Sequence, residues 1–283
     1  MTGVAVVGAA ETTELGKIPH MSQIQLHADA ALNAMADAGL TAKDIDGIAT
    51  AGSRPTDLAH YLGITPTWVD GTAVGGCSFM LHVRHAVAAL TTGQCNTVLI
   101  THGESGRSGV GRDGFGRAPA SLSGQFEMPY GPVGPPTLFT LPVLRYMKDY
   151  GMSHEQLAMV AVVQRQWASM NPRASFQEPI SVDDVLASKM IAYPFHLLEC
   201  CLVTDGGGAL ILTRAEQAKD FPQPPVYIKG TGESVETPMI SQMQDLTSSR
   251  AFTVAGPAAM IDARISHSAV SYTHLTLPTI REV

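Results

Sequence analysis

The sequence predicts an α/β protein in which apolar strands alternate with capped helices. Three observations carry this prediction: short apolar runs bounded by glycine, helical runs with apolar residues on one face, and serine caps where helices begin. Strands that alternate with helices form a sheet that helices cover on both faces. The 283 residues, 45% of them hydrophobic, supply enough chain for roughly two domains with a buried core.

The first elements follow in order from the amino terminus. Val4 to Val7 is an apolar strand that we expect to end at Gly8. Ser22 and Gln25 form a capping box at the start of a helix that ends at Gly39. The apolar face of this helix is formed by Ile24, Ala28, Ala31, Met35 and Ala38. A strand, a short helix, a strand, a long helix and a strand are then predicted at Asp46 to Thr50, Asp57 to Leu62, Trp68 to Asp70, Phe79 to Leu90 and Thr97 to Thr101.

Cys77 is the residue of the sequence that points most directly to a chemical role. It follows Gly75 and Gly76 and is expected in the first turn of the long helix. Unpaired amides at a helix amino terminus carry partial positive charge, which favours a thiolate and so activates a cysteine as an acyl acceptor. The alternative is that Cys77 is a small buried filler, as many free cysteines are.

A long segment without strand periodicity follows His102. Residues 103–136 are rich in Gly, Pro and Ser and far longer than an ordinary connection, which is typical of functional or disordered loops. Arg107 and Arg112 would meet phosphates if the segment folds over a ligand, and are otherwise solvated. Two helices are then predicted at Leu138 to Tyr150 and Gln156 to Ser169.

A second cluster of reactive side chains precedes the last predicted strand, at Ala209 to Thr213. Asp205 and three glycines lead into this strand. The cluster consists of His196, Glu199, Cys200 and Cys201. The alternative is that its cysteines pack in the core and its histidine is satisfied by a hydrogen bond.

Charge and cysteine spacing exclude several classes of function. The formal charge of -7, without a basic run, argues against nonspecific binding to nucleic acid. The four cysteines lack Cys-x-x-Cys spacing, so we expect reduced thiols and no zinc site. The first apolar run is too short for a signal peptide, and no run reaches about 18 residues. We therefore expect a cytoplasmic protein without a membrane span.

The order and wording of three segments resemble the thiolase superfamily. The segments are VAVVGAAETTELGK with ALNAMADAGLTAKDIDGIAT behind it, VGGCSFMLHVRHAVAALTTGQCNTVLITHGE, and CLVTDGGGALILTRAEQA. SRAFTVAG, at residues 249–256, looks like the first helix of the family's second half. The resemblance covers about residues 3–260 and is greatest to the sterol-carrier or lipid-transfer type and to actinobacterial proteins labelled acetyl-CoA acetyltransferase.

The resemblance implies a thiolase-like α/β fold with a particular domain organisation. Residues 1–102 and 204–222 would form the amino-terminal α/β/α half, and residues 103–203 a loop and helical excursion over the active site. Residues 223–262 would begin a second half that is mostly missing. Residues 263–283 would be a non-native, adapter-like tail.

The resemblance also implies acyl transfer between coenzyme A thioesters, a Claisen condensation run in either direction. Acyl-CoA would be the ligand and substrate, no metal or redox cofactor would take part, and a homodimer would form at the strand Trp68 to Asp70. The implied site residues are the nucleophile Cys77, the oxyanion turn of Gly75, Gly76 and Ser78, and the acyl-CoA contacts Arg107, Arg112 and His196.

The nucleophile turn departs from the family pattern. Typical members carry Cys-x-Ser-Gly, and aligning Ser78 with that serine places Gly76, not Cys77, at the nucleophile position. A shift of one residue at a helix start rotates a side chain by about 100°. Some thiolase-fold proteins lack the nucleophile and are retro-aldolases, which act on steroid side-chain thioesters with an OB-fold partner. That activity and a noncatalytic acyl-CoA or lipid carrier are therefore the alternatives.

The carboxy-terminal part departs as well. Nothing after Gly256 supplies the Gly-His-Pro or Asn-Thr-x-Gly-Gly-like region of the family, and Val270 to Thr279 reads as a translated sequencing adapter. A half-thiolase would expose the apolar face on which the second half packs. We therefore expect this chain by itself to be poorly soluble and inactive.

Overall fold

The computed structural model describes residues 2–112, 119–132 and 134–269, and all structural statements below refer to these residues. The strands are β1 (Val4–Glu11), β2 (Gly47–Thr50), β3 (Trp68–Asp70), β4 (Thr97–Ser105), β5 (Met190–Ala192), β6 (Phe195–His196), β7 (Asp205–Arg214) and β8 (Val226–Tyr227). The helices are α1 (Gln23–Asp37), α2 (Pro55–Leu62), α3 (Ser78–Thr91), α4 (Leu122–Phe126), α5 (Pro135–Leu138), α6 (Thr140–Tyr150), α7 (His154–Ala168), α8 (Val182–Ala187) and α9 (Arg250–Ala263).

The main sheet of the described chain has six strands in the order β3-β2-β4-β7-β1-β8. Strand β2 pairs in parallel with β3 and β4. Strand β7 is antiparallel to both β4 and β1, so the chain returns from its excursion into the middle of the sheet. The predicted α/β class is confirmed.

Two layers of helix cover opposite faces of this sheet. On one face, α1 packs its alanine-rich side in a cluster that includes Ala31, Leu99 and Ile211, all fully buried. On the other face, α3 contributes Leu90 to a cluster with Val98 and Leu212. Because successive strand residues point to opposite faces, Val98 and Leu99 serve different layers.

Strands β1, β4 and β7 are longer than the sequence predicts, and β7 runs from Asp205 to Arg214 where Ala209 to Thr213 was expected. Strand β1 does not end at Gly8 but continues to Glu11. Gly8 is needed for close packing, since a Cβ there would lie 2.7 Å from the carbonyl oxygen of Ala34 on α1. Strand β4 likewise runs past Thr101 to Ser105, because β7 pairs with it over its whole length.

The excursion after β4 is largely helical. Helices α6 and α7 correspond to the predicted helical pair, and α7 packs on α8 through Ala158, Val162 and Val185. The division of the chain at residues 102, 203, 222 and 262 stays a prediction. The adapter-like stretch from Val270 to Thr279 lies outside the described residues. No helix in the described ranges is long and apolar enough to cross a membrane.

Asp205 ties the excursion to the sheet at the start of β7. Its carboxylate accepts hydrogen bonds from the amides of Ile18 (2.7 Å), Arg107 (2.9 Å) and Ser108 (2.9 Å), and the residue is 1% exposed. Burial by itself would raise the pKa of this carboxyl. The three amide donors outweigh burial and hold the pKa of Asp205 below its ordinary value.

We predict that Asp205→Asn lowers the free energy of unfolding by about 1–3 kcal/mol at pH 7, because the asparagine amide cannot accept all three hydrogen bonds. Because the pKa of Asp205 is lower in the folded chain than in the unfolded chain, its carboxylate stabilises the fold above the ordinary aspartate pKa. This stabilisation is lost as the pH falls through the folded-state pKa. The difference between the variant and the parent chain should therefore shrink below about pH 4. Pulse proteolysis in urea, which needs little soluble protein, measures this difference in the free energy of unfolding. A difference that is constant with pH would contradict this role.

Candidate active site

Cys77 lies immediately before the first residue of α3. The sequence predicts Cys77 in the first turn of the helix, but α3 begins at Ser78 and Cys77 is its amino-terminal cap residue. Its carbonyl accepts hydrogen bonds from the amides of Met80 (3.1 Å) and Leu81 (3.4 Å). The side chain is exposed and its thiol does not cap the helix. The alternative that Cys77 is a buried filler is therefore wrong.

The turn before Cys77 is held by the hydroxyl of Ser78. This hydroxyl donates to the carbonyl of Gly75 (2.6 Å) and accepts from the amide of Val74 (2.9 Å), and Ser78 is fully buried. Gly75 adopts φ +93°, which strongly favours glycine, whereas a Cβ at Gly76 would meet open space. Ser78 thus shapes the turn that presents Cys77, and the oxyanion role of these residues stays a prediction.

Phe79 brings the start of α3 against the middle of β4. Its ring lies 4.4 Å, centroid to centroid, from the ring of His102. Both side chains line an open cavity of about 620 Å³ whose floor is formed by the end of β1 and the middle parts of β4 and β7. The lining is mostly apolar, with Glu11 and His102 as its ionisable residues among those described.

A buried polar cluster lies behind this cavity. His27, on α1, is fully buried, and its Nδ1 hydrogen-bonds with the hydroxyls of Thr101 (2.9 Å) and Thr50 (3.2 Å). The Thr50 hydroxyl also lies 3.1 Å from the Thr101 carbonyl oxygen. The ring of His102 meets that of His27 edge-on at 6.2 Å. The cluster therefore joins α1 to β2 and to the cavity-lining part of β4.

Both histidines of this cluster favour the neutral form. Burial, with a smaller contribution from the charge of His102, lowers the pKa of His27 to about 3, against the opposing effect of the Gly103 backbone. Burial also lowers the pKa of His102, although the nearby carboxylate of Glu104 acts in the other direction. Two uncharged imidazoles in contact avoid the cost of burying charge.

The residues proposed to contact acyl-CoA lie in two places. Arg112 points a guanidinium nitrogen at the carboxylate of Glu104 (3.4 Å), and the Arg107 amide is bound to Asp205, so both belong to the loop after β4. His196 is 8% exposed and its Nδ1 lies 3.1 Å from the Glu199 carboxylate. His196 is thus held in a buried pair, as the alternative reading of this cluster expected.

The cysteines next to this pair are not core residues. Cys200 is partly buried and Cys201 is exposed, so the alternative that both cysteines pack in the core is wrong. Burial raises the pKa of the Cys200 thiol, with Cys201 and Glu199 acting in the same direction. A raised pKa disfavours the thiolate, which makes Cys200 a weaker nucleophile at neutral pH.

Sequence reasoning missed the buried cluster of His27, Thr50 and Thr101. The only signal for His27 was its place in the helical repeat of positions 23, 27, 30 and 34, and the structure shows that all four residues are fully buried. No pattern connected this helix position to two threonines on separate strands. Within the described residues, no group of three or more His, Cys, Asp or Glu side chains is placed to hold a metal ion.

Comparison with known proteins identifies the family. No protein-family model matches the chain. An acetyl-CoA acetyltransferase of Methanocaldococcus jannaschii is 30% identical over 277 residues, which cover 94% of this chain and 70% of that protein. A steroid side-chain-cleaving aldolase of Thermomonospora curvata is 34% identical over 245 residues, covering 82% of this chain and 62% of that protein. The chain belongs to the thiolase superfamily.

The solved structures give the same assignment. A structure described as an Ltp2-ChsH2(DUF35) aldolase superposes with a TM-score of 0.85 at 31% identity, covering 94% of this chain and 71% of that chain. The predicted thiolase-like fold is therefore confirmed. The chain spans 62% of the length of its Thermomonospora relative.

We predict that the buried His27 makes the fold sensitive to acid. In the unfolded chain a histidine titrates near pH 6.5, whereas His27 in the fold stays neutral down to about pH 3. The unfolded state therefore binds more protons between these values, and stability falls as the pH falls from 6.5 towards 3. From pH 7.5 to pH 5, His27 should contribute about 2 kcal/mol of lost stability.

His27→Asn, which cannot titrate, should reduce this acid-dependent loss by about the same amount, as measured by pulse proteolysis at the two pH values. His20→Asn is the matched control, because the side chain of His20 is 59% exposed. An equal loss in the parent chain and in His27→Asn would rule out the buried imidazole as the cause.

Proposed function

We propose that this chain carries the nucleophile half of an acyl-CoA acyltransferase of the thiolase type. The observation that carries the proposal is the exposed thiol of Cys77, presented by a glycine turn at the amino end of α3. The Cys77 thiolate attacks the thioester carbonyl, the coenzyme A thiolate leaves, and an acyl-cysteine forms. In the second half-reaction, a thioester that has lost its α-proton attacks this acyl group, and the Cys77 thiolate leaves.

The surroundings of Cys77 support acyl chemistry. The amino end of α3 concentrates backbone N–H dipoles, which stabilise negative charge on a thiolate or an oxyanion. Phe79 and the neutral His102 supply an uncharged wall nearby. Arg107 and Arg112, on the loop after β4, are the cations we assign to the phosphates of coenzyme A.

A retro-aldolase acting on acyl-CoA is the second candidate. Two observations favour it. Aligning Ser78 with the family's serine places Gly76, the residue before Cys77, at the nucleophile position. In addition, a 34%-identical relative is a steroid side-chain-cleaving aldolase. In this case catalysis would not need Cys77, and a partner subunit like the second component of the Ltp2-ChsH2(DUF35) structure would be required. A noncatalytic acyl-CoA or lipid carrier is the remaining alternative.

We also propose a homodimer paired through β3. This strand is at one end of the sheet order and its Val69 is 43% exposed. An unpaired strand edge with an exposed apolar residue is a site for pairing with a second copy.

The acyltransferase proposal predicts a covalent adduct. The chain, produced as a fusion to a solubility-enhancing protein, is incubated with acetyl-CoA and examined by intact and peptide mass spectrometry. The chain by itself is not expected to complete the condensation, but the first half-reaction needs only the nucleophile, so we expect an acetyl group on Cys77, whose thiol is exposed at a helix amino terminus. Cys77→Ser should abolish the rapid adduct.

Cys201→Ser is the matched control, since Cys201 is also an exposed thiol but does not precede a long helix. It should leave acetylation of Cys77 unchanged. Equal labelling of Cys77 and Cys201 would indicate nonspecific thiol chemistry. A folded chain that binds coenzyme A without labelling would favour the lyase if Cys77→Ser keeps lyase activity with a partner subunit, and the carrier if it does not.

A further inference from the structure

The segment that leads into the glycine turn before Cys77 is bound to the side of α3. His82, about one helical turn after Ser78, is fully buried, and its Nε2 lies 2.9 Å from the carbonyl oxygen of Thr72. Because a carbonyl oxygen can only accept a hydrogen bond, Nε2 carries the proton and donates it. This bond fastens a residue that precedes Cys77 in the chain to the helix that begins directly after Cys77.

A second set of contacts restrains the same segment. The carboxylate of Asp70, at the end of β3, accepts hydrogen bonds from the amide (2.9 Å) and the hydroxyl (2.7 Å) of Thr72. Its other oxygen lies 2.6 Å from Nδ1 of His85, which follows His82 by about one turn of α3. Thr72 is therefore held at its carbonyl by one histidine and, through Asp70, by a second.

The turn that follows Thr72 contains two consecutive glycines, at residues 75–76. Glycine has more backbone freedom than any other residue, so such a turn keeps one shape only if both of its ends are held. The Ser78 hydroxyl holds the end of the turn nearest Cys77. His82 holds the beginning of the turn at Thr72. The direction in which the Cys77 thiol points therefore depends on both contacts.

His82 favours the neutral form, which suits a buried hydrogen-bond donor. Burial lowers the pKa of His82, against the opposing effects of the hydrogen bond to Thr72 and of the Asp70 carboxylate. The charge of His85 acts in the same direction as burial. A neutral imidazole keeps its Nε2–H for the carbonyl and avoids the cost of a buried charge.

We propose that His82 is a positioning residue for Cys77: its hydrogen bond to Thr72 holds the turn in the shape that directs the thiol at the carbonyl carbon of a bound thioester. This inference rests on the proposed acyl transfer. His82 acts through the backbone of residues 72–76 and not on the substrate. Because a nucleophile displaced by about 1 Å can lose about 10²-fold in rate, a change in this turn would slow acylation strongly.

His82→Leu tests this role in the fused chain, because leucine is readily buried but cannot donate to Thr72. We expect the rate of Cys77 acetylation by acetyl-CoA, followed by peptide mass spectrometry, to fall about tenfold. His82→Gln, whose amide N–H can replace the Nε2–H, should stay within about threefold of the parent chain. His60→Leu is the matched control: His60 is an exposed histidine on α2, so the rate should change by less than about twofold.

Two further measurements separate positioning from damage to the fold. Iodoacetamide alkylates an exposed thiol from many directions, so its rate with Cys77 should change by less than about twofold in His82→Leu. Cys95, which is 2% exposed, should stay unlabelled. If His82→Leu exposes Cys95, His82→Asn replaces it as the variant that loses the bond, because its shorter amide does not reach Thr72.

Equal acetylation rates in His82→Gln and in the variant that loses the bond would overturn the positioning role. Labelling of Cys95 in both His82→Leu and His82→Asn would overturn it as well, because His82 would then be needed for the fold as a whole. A fall in alkylation as large as the fall in acetylation would also contradict it, since the thiol would be less accessible and not misdirected.

Hydrogen exchange of the turn distinguishes a failure of this role from a failure of the proposed function. It is measured without acetyl-CoA at the amides of Thr72, Val74 and Ser78, which donate hydrogen bonds within or beside the turn. We expect exchange about tenfold faster in His82→Leu than in the parent chain and near the parent rate in His82→Gln. Unchanged exchange would overturn the positioning role, even if Cys77 is acetylated. If exchange responds as expected but the parent chain is never acetylated, His82 still holds the turn and only the proposed acyl transfer fails.

Discussion

The pairing of β7 with β4 and β1 is the constraint on which the rest of the structure depends. Strand β7 enters the sheet after the whole helical excursion and occupies a central position, with its register set from Thr97 opposite Thr213 to Ser105 opposite Asp205. Its first glycines run directly beside the end of β4, where a side chain at Gly207 would overlap the backbone of His102. This close approach fixes the position of His102, and Asp205 then fixes the loop that carries Arg107.

The candidate site is buried and hydrogen-bonded on its inner side and exposed on its outer side. Inside, His27, Thr50 and Thr101 form hydrogen bonds between α1 and two strands, and the neutral imidazoles let this polar cluster stay buried. Outside, Cys77 is exposed at the end of α3. The ring contact between Phe79 and His102 connects this exposed end of α3 to the buried cluster.

Much of the fold was predictable from local patterns. Helix α1, for example, has its capping box at Ser22 and Gln25, and its predicted residues Ala28, Ala31 and Met35 are buried. Strand ends were less predictable, because the extension of β1 and β4 comes from the partner strand β7 and not from their own residues. Gly8 was predicted to end β1, but in the fold it lies within β1, and its lack of a side chain lets α1 pack closely against the strand.

The sequence by itself determined the α/β class, the glycine turn before Cys77, and the resemblance to thiolases, because these depend on residues that are close together in the chain. Tertiary structure decided that Cys77 is exposed, that His196 is paired with Glu199, and that Glu127 joins Ser241. It also decided which histidines are neutral, since the pKa of His27 depends on burial by distant elements. Exposure, protonation and cavities depend on contacts across the chain, and local patterns carry little information about them.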